Sequence, residues 1–236
     1  MPKGPHPLAS RVRLTYHLRM VSDHFSHVQE WIFDLDNTLY PPSACLFEQI
    51  EPRMTAWVQR ELNVSRDEAN RLRHTYWRDY GTTLSGMMRL HGTDPLPYLT
   101  YVHDIDFSTL PADPALRAAI HALPGRKIVY TNGSEPYANR VLEARGLTGL
   151  FDAIYGIEHA DFHPKPIAQA FDTILKKDGL APYEAAMFED DARNLEVPHA
   201  LGMKTVHIAP NPLDPPAPYV HFHAADLTGF LSKILA

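Results

Sequence analysis

The chain is expected to fold as an α/β protein, a parallel sheet with a helical insertion after its first strand. Three observations predict this. From residue 113 onward, short apolar runs alternate with helix-period segments, the pattern of strands crossing back through helices. Residues 44–103 show helical spacing throughout and no strand pattern. Between them in character stands Glu30-Trp31-Ile32-Phe33-Asp34-Leu35-Asp36-Asn37-Thr38-Leu39-Tyr40-Pro41, an apolar run that reads as a buried strand. It ends in two carboxylates on the same side of an extended backbone. Two buried like charges are costly unless a cation or a proton relieves them. That strand end is therefore expected to hold a metal, a covalent chemistry, or both.

The elements follow in order. Phe47, Ile50, Met54, Trp57, Val58 and Leu62 recur at helical spacing. Ser65 with Glu68 makes a capping box for a second helix, which carries Ala69, Leu72, Tyr76 and Tyr80 and stops at Gly81. Shorter helices are expected around 84–90 and 96–103. Asp113 caps a helix through His121. Lys127–Tyr130 is a strand that ends at Thr131-Asn132-Gly133-Ser134, and Ser134 caps the next helix to Arg145. Strands are expected at 153–157, 185–188 and 204–208, and helices at 166–177 and 192–201. Pro198 should kink the last of these. Residues 210–218 are proline-rich and read as an extended loop. His221 and His223 flank Phe222 at strand spacing, and a closing helix spans 225–235. The domain expectation is a loosely packed or disordered extension over 1–27, a core of 28–43 with 104–236, and a helical unit of 44–103. Met20 would serve as an alternative start.

Composition narrows the function. A length of 236 residues with 44% hydrophobic content allows a sizeable core. A net charge of −6 gives no basic footprint, so a nucleic-acid polymer is not the expected partner. The one cysteine, Cys45, excludes an intrachain disulfide and fits a reducing, cytoplasmic setting. No run is apolar enough to span a membrane, and the first twenty residues lack the apolar core of a signal peptide.

Ligands of such sheets bind beyond the carboxyl ends of the strands. Three of the expected strands end in polar residues there: Asp34/Asp36, Thr131, and Glu189/Asp190. This convergence argues for one site. The first motif resembles that of the haloacid dehalogenase-like superfamily, in the wording used by its phosphatases. Asp34-x-Asp36, Thr131, Lys165 and Glu189-Asp190-Asp191-x-x-Asn194 stand in that superfamily's order, and the resemblance runs from about Trp31 to Ile208. It implies a Rossmann-like core with an inserted helical cap, and a Mg²⁺-dependent phosphomonoesterase.

The resemblance also implies roles. Asp34 would be the nucleophile of an aspartyl-phosphate intermediate, and Asp36 the general acid and base. Thr131 and the backbone amide of Asn132 would bind the phosphoryl group, and Lys165 would neutralise charge. Asp34, Asp36 and Asp190 would hold Mg²⁺, with Glu189 or Asp191 assisting. Haloacid dehalogenases do not use the second Asp, so its presence favours a phosphatase. The absence of lysine from 44–103 argues against the Schiff-base phosphonate hydrolases of the superfamily. Tyr80-Gly81-Thr82-Thr83-Leu84 resembles a segment of the pyrimidine 5′-nucleotidase-like branch, so Tyr80, Thr82 and Thr83 would recognise base and ribose. The same segment also reads as a helix–helix turn with capping hydroxyls. The expected partner is a small phosphorylated metabolite, a nucleoside 5′-monophosphate before a sugar phosphate or phosphoglycolate. A phosphosugar mutase and a non-catalytic phosphate-binding protein are the rival readings.

Overall fold

The computed structural model describes residues 21–236; the expected alternative start at Met20 and most of the expected extension lie outside them. Residues 21–25 are helical, and Phe25 is buried against Trp31, Phe222 and Phe230. The packed core thus begins several residues before residue 28, because one aromatic anchor buries enough apolar surface to order a short segment.

Six strands form one parallel sheet: β1 (Glu30–Phe33), β2 (Arg126–Tyr130), β3 (Ala153–Tyr155), β4 (Ala185–Glu189), β5 (Lys204–Ile208) and β6 (Phe222–Ala224). Their order is β3-β2-β1-β4-β5-β6. The chain leaves β1 toward one edge and returns to its other side at β4, pairing Phe33 with Val129 on one flank and with Phe188 on the other. This is the topological switch point, where the crevice opens at the strand ends. Side chains alternate across the sheet as the period of two requires. Trp31, Phe33, Val129, Phe188 and Val206 enter one hydrophobic cluster, while Ile32, Ile128, Tyr130 and Met187 enter the other.

The insertion between β1 and β2 begins with α1 (Leu46–Leu62), α2 (Arg66–Tyr80), α3 (Thr83–His91) and α4 (Pro95–Val102). Ser65 caps α2 by accepting from the Glu68 N–H, and Thr82 caps α3 by accepting from Ser85. Val58, Ala69, Tyr76 and Met87 form a small core of the insertion's own. Leu46, Ile50, Leu84, Tyr98, Leu99 and Val102 join it to the main core. Gly81 ends α2 at φ +87°, and a Cβ there would stand 3.1 Å from Pro164 Cγ. The insertion touches the body of the protein at that point.

The remaining helices are α5 (Pro114–Ala122), α6 (Glu135–Ala144), α7 (Ala168–Asp178), α8 (Glu196–Ala200) and α9 (Leu227–Ile234). Asp113 and Ser134 cap α5 and α6 as expected. Three of the boundaries that differ from the sequence expectation have a local physical reason. β3 stops at Tyr155, since the Ile157 N–H donates to Gly133 O and the chain tightens into a 3₁₀ turn over Ile157–Ala160. α7 starts two residues late, because Lys165 has its backbone tied elsewhere. The segment after β4 divides into a 3₁₀ turn, Ala192–Leu195, and α8, which places Pro198 in a first turn where its missing N–H costs nothing. His221 and His223 find partners in Thr205 and the Ala209 carbonyl, and of the two only His223 lies in β6.

Candidate active site

The site is assembled at the ends of β1, β2 and β4 and on the loop before α7. Asp34 directly follows β1, and its N–H continues the ladder by donating to Phe188 O. Glu189 closes β4, and Asp190 follows it. Lys165 enters between them. Its side chain is buried, and Nζ donates to Asp34 Oδ1 at 2.7 Å, to Glu189 Oε2 at 2.7 Å and to the Tyr130 carbonyl at 2.9 Å. All three ammonium protons are thereby used.

Asn132 sets that lysine in place. Its Oδ1 accepts from the Lys165 N–H at 2.8 Å, and its Nδ2 donates to the Lys165 carbonyl at 3.1 Å. This clasp delays the start of α7. It leaves the Asn132 side chain engaged at both polar ends, so the expected contact with substrate falls to the backbone amide.

The electrostatics follow from burial of several charges together. Burial works to lower the Lys165 pKa, but the attraction of Asp34 and Glu189 wins and raises it, so the ammonium stays charged. Burial, and then the charge of Glu189, push Asp34 well above the usual carboxylate range. Glu189 is pushed up to about 7 by burial against the pull of Lys165. Asp190 rises to about 7 through burial and the charge of Asp34. Oxygens of Asp34, Glu189 and Asp190 lie within 4.8 Å of one another. One lysine cannot balance three such carboxylates. The set is all oxygen, and Asn194 Oδ1 is buried there without a partner while its Nδ2 donates to Glu189. These residues fit a hard divalent cation.

Asp36 lies apart from that group. The sequence expectation counted Asp36 among the metal ligands; its carboxylate accepts from Tyr40 Oη at 2.6 Å and Tyr137 Oη at 2.7 Å. The third side-chain carboxylate of the cluster is that of Glu189. Burial raises the Asp36 pKa although both tyrosine hydroxyls oppose it. Thr131 is buried, its Oγ1 accepting from Gly133 N–H at 2.9 Å and approaching Asp36 Oδ2 at 3.5 Å. Of the two acids left open by the sequence, Asp191 faces away from the cluster: it caps the following turn and pairs with Arg193 at 2.6 Å.

A cavity of about 450 Å³ joins these residues to the insertion, with Asp36, Asn132, Lys165 and Asp191 on one side and Phe47, Met54, Arg73, Trp77, Thr82 and Thr83 on the other. Thr82 and Thr83 line this cavity, and Thr83 Oγ1 donates to the Arg73 carbonyl. Tyr80 does not line the cavity. Its ring packs on Tyr76 and beneath the guanidinium of Arg89, so its expected contact with substrate is corrected to a packing role. Tyr40, Tyr137, Arg73 and Trp77 were missed as site residues. Tyr40 stands in the first motif and Trp77 one turn before Tyr80, but each reads in sequence as ordinary core.

The chain belongs to the haloacid dehalogenase-like hydrolase family, whose model matches residues 31–208. Among individual relatives, Phosphate metabolism protein 8 of Saccharomyces cerevisiae is 29% identical over 195 residues, covering 75% of this chain and 60% of that protein. The chain thus spans less than two thirds of that relative's length. The fold is also that of an HAD phosphatase from Thermococcus onnurineus, with a TM-score of 0.60 and 20% identity over 89% of this chain and 98% of the other. The HAD hydrolase YfnB of Bacillus subtilis, solved with magnesium, gives 0.58 and 14% over 88% and 98%. An L-2-haloacid dehalogenase of Xanthobacter autotrophicus, with chloropropionic acid covalently bound, gives 0.56 and 14% over the same shares. Among the described residues no helix is long and apolar enough to cross a membrane.

Proposed function

We propose that this hydrolase is a Mg²⁺-dependent phosphomonoesterase that works through an aspartyl-phosphate and prefers nucleoside 5′-monophosphates, pyrimidine ones first. One observation carries the reading: two neighbouring aspartates have been given opposite surroundings. Asp34 is held by an ammonium group in a carboxylate cluster, and Asp36 by two neutral hydroxyls. Pairs of acids separated in this way divide the roles of nucleophile and proton donor. A dehalogenase has no use for the second.

Lys165 orients the Asp34 carboxylate and pulls against the burial that raises its pKa. Asp34 attacks phosphorus, an O–P bond forms, and the bond to the leaving oxygen breaks. Asp36, held by the two tyrosine hydroxyls, gives that oxygen its proton. Asp36 then takes a proton from water as the water attacks phosphorus, phosphate departs, and Asp34 is restored. Thr131, at the start of the loop leading to α6, would bind the phosphoryl oxygens, with amides near the helix N-terminus assisting. Asp34, Glu189 and Asp190 would hold Mg²⁺, whose charge offsets that of the phosphoryl oxygens. A cytoplasmic setting accords with the lone cysteine, and a name that places the yeast relative in phosphate metabolism accords with the substrate class.

The test is hydrolysis of a chromogenic phosphate ester. Turnover with Mg²⁺, its loss in EDTA and its return on adding Mg²⁺ are expected. Unchanged turnover in metal-stripped protein would remove the metal from this reading, and turnover of a 2-haloacid in place of the ester would replace it. A panel of phosphorylated metabolites then ranks nucleotides against sugar phosphates and phosphoglycolate.

A further inference from the structure

The insertion's side of the cavity is short of free positive charge and carries a water-exposed indole. Trp77 is 48% exposed although it lines the cavity. It is not loose: the guanidinium of Arg193, across on the catalytic body, lies 3.9 Å from its ring centroid. Arg193 is itself held by Asp191 at 2.6 Å. A large aromatic kept half in water and pinned in position is a costly arrangement unless a ligand covers it.

The lysine and arginine among the described lining residues are already paired. Lys165 is taken by Asp34 and Glu189. Arg73 pairs with Glu51, its Nη2 at 3.2 Å from the carboxylate. Of the lining imidazoles, burial holds His103 neutral, with a pKa pushed down to about 3, and His74 is exposed to water, where a charge is screened. A leaving group bearing a second anion would need a counter-charge where both arginines are already paired, Arg73 with Glu51 and Arg193 with Asp191. An uncharged ring would not. Arg73 Nε is moreover buried without an acceptor, and next to the Glu51 carboxylate it forms a donor beside an acceptor.

We infer that Trp77 and the Arg73–Glu51 pair determine specificity by taking an uncharged, planar leaving group with hydrogen-bonding edges, of the nucleobase class, and by refusing carboxylate-bearing ones. The ring stacks on Trp77, and Arg73 with Glu51 reads its edge. This rests on the phosphomonoesterase reading and adds the residues that would select the leaving group.

The test uses the full chain with Mg²⁺ and compares wild type with Trp77→Ala, Trp77→Phe and Glu51→Gln, each first checked for an unaltered melting curve. The probes are uridine, the dephosphorylated product, and the substrates UMP and phosphoglycolate. Uridine should quench tryptophan emission in wild type, and the quench should vanish in Trp77→Phe. Trp77→Ala should lower the UMP to phosphoglycolate ratio of kcat/KM about tenfold, the scale of one lost stacking contact, and Trp77→Phe should keep most of it. Glu51→Gln, which frees the Arg73 charge, should raise kcat/KM for phosphoglycolate. A wild type that prefers phosphoglycolate, equal losses on both substrates in Trp77→Ala, a quench that survives Trp77→Phe, or no gain in Glu51→Gln would overturn the inference. If wild type hydrolyses no phosphate ester, the phosphomonoesterase reading fails separately. The uridine quench then decides the binding claim: lost in Trp77→Phe it stands, and absent in wild type it falls.

Discussion

The strand-end carboxylates and the helical insertion form two walls of one cavity, yet they are built on different principles. At the strand ends the charged groups are matched to one another: Lys165 spends all its protons, Asn132 both ends of its amide, and Asn194 Oδ1 is left open beside the carboxylates. In the insertion, the wall is largely apolar, an indole stands half exposed, and Arg73 Nε lacks an acceptor. The first wall is preorganised around charge, which chemistry demands regardless of substrate. The second keeps unfilled contacts, as a surface does that waits for a particular molecule.

Three substitutions would break or sharpen this contrast. The largest effect is expected from Asp34→Asn. An amide cannot attack phosphorus, so turnover should fall to background while circular dichroism stays that of the wild type. Measurable multiple turnover would dismiss the covalent step. Lys165→Met comes next, acting on fold and chemistry together. It leaves Asp34 and Glu189 buried without their counter-charge, which should cost about 3–5 kcal/mol in denaturant unfolding. An unfolding midpoint equal to wild type would mean that the strand ends are less tightly built than described. Tyr80→Ala should do least. Tyr80 packs inside the insertion, so about 1 kcal/mol of stability should be lost, with kcat/KM for UMP unchanged. A selective loss on UMP would return Tyr80 to the substrate and blur the difference between the walls.

The same contrast explains what could be read in advance. Asp34, Thr131 and Asp190 were legible as residues that end apolar strand runs, and Lys165, on the loop before α7, only through its place in the family's motif order. The sheet was legible because the apolar runs are short and alternate with amphipathic helices. The setting of the Asp36 carboxylate was not, since period two puts Asp34 and Asp36 on one side but says nothing of the Tyr40 and Tyr137 hydroxyls that it accepts from. Tyr137 comes from α6, about a hundred residues further along the chain. In the insertion, Trp77 and Tyr80 are one turn apart on α2, and only the packing of Tyr76 and Arg89 tells which ring is inside. The late start of α7 likewise depends on a partner, Asn132, that lies far from it in sequence.

The Asn132 clasp has a consequence for how the protein ages. Asn-Gly is a sequence prone to losing its side-chain amide, through attack of the glycine nitrogen on the asparagine carbonyl carbon. Here Gly133 N–H is committed to Thr131 Oγ1, and the amide is fastened at both ends to Lys165. The folded chain should therefore resist this reaction, while chain held in denaturant should undergo it, and peptide mass spectra of the two samples can follow the conversion to aspartate. The damage would be selective. An aspartate at 132 offers no donor to the Lys165 carbonyl, so a molecule that had once unfolded for long enough would refold with its lysine loop unfastened. Shelf life would then be set by the fraction of time spent unfolded, and lost activity would not be recovered by refolding.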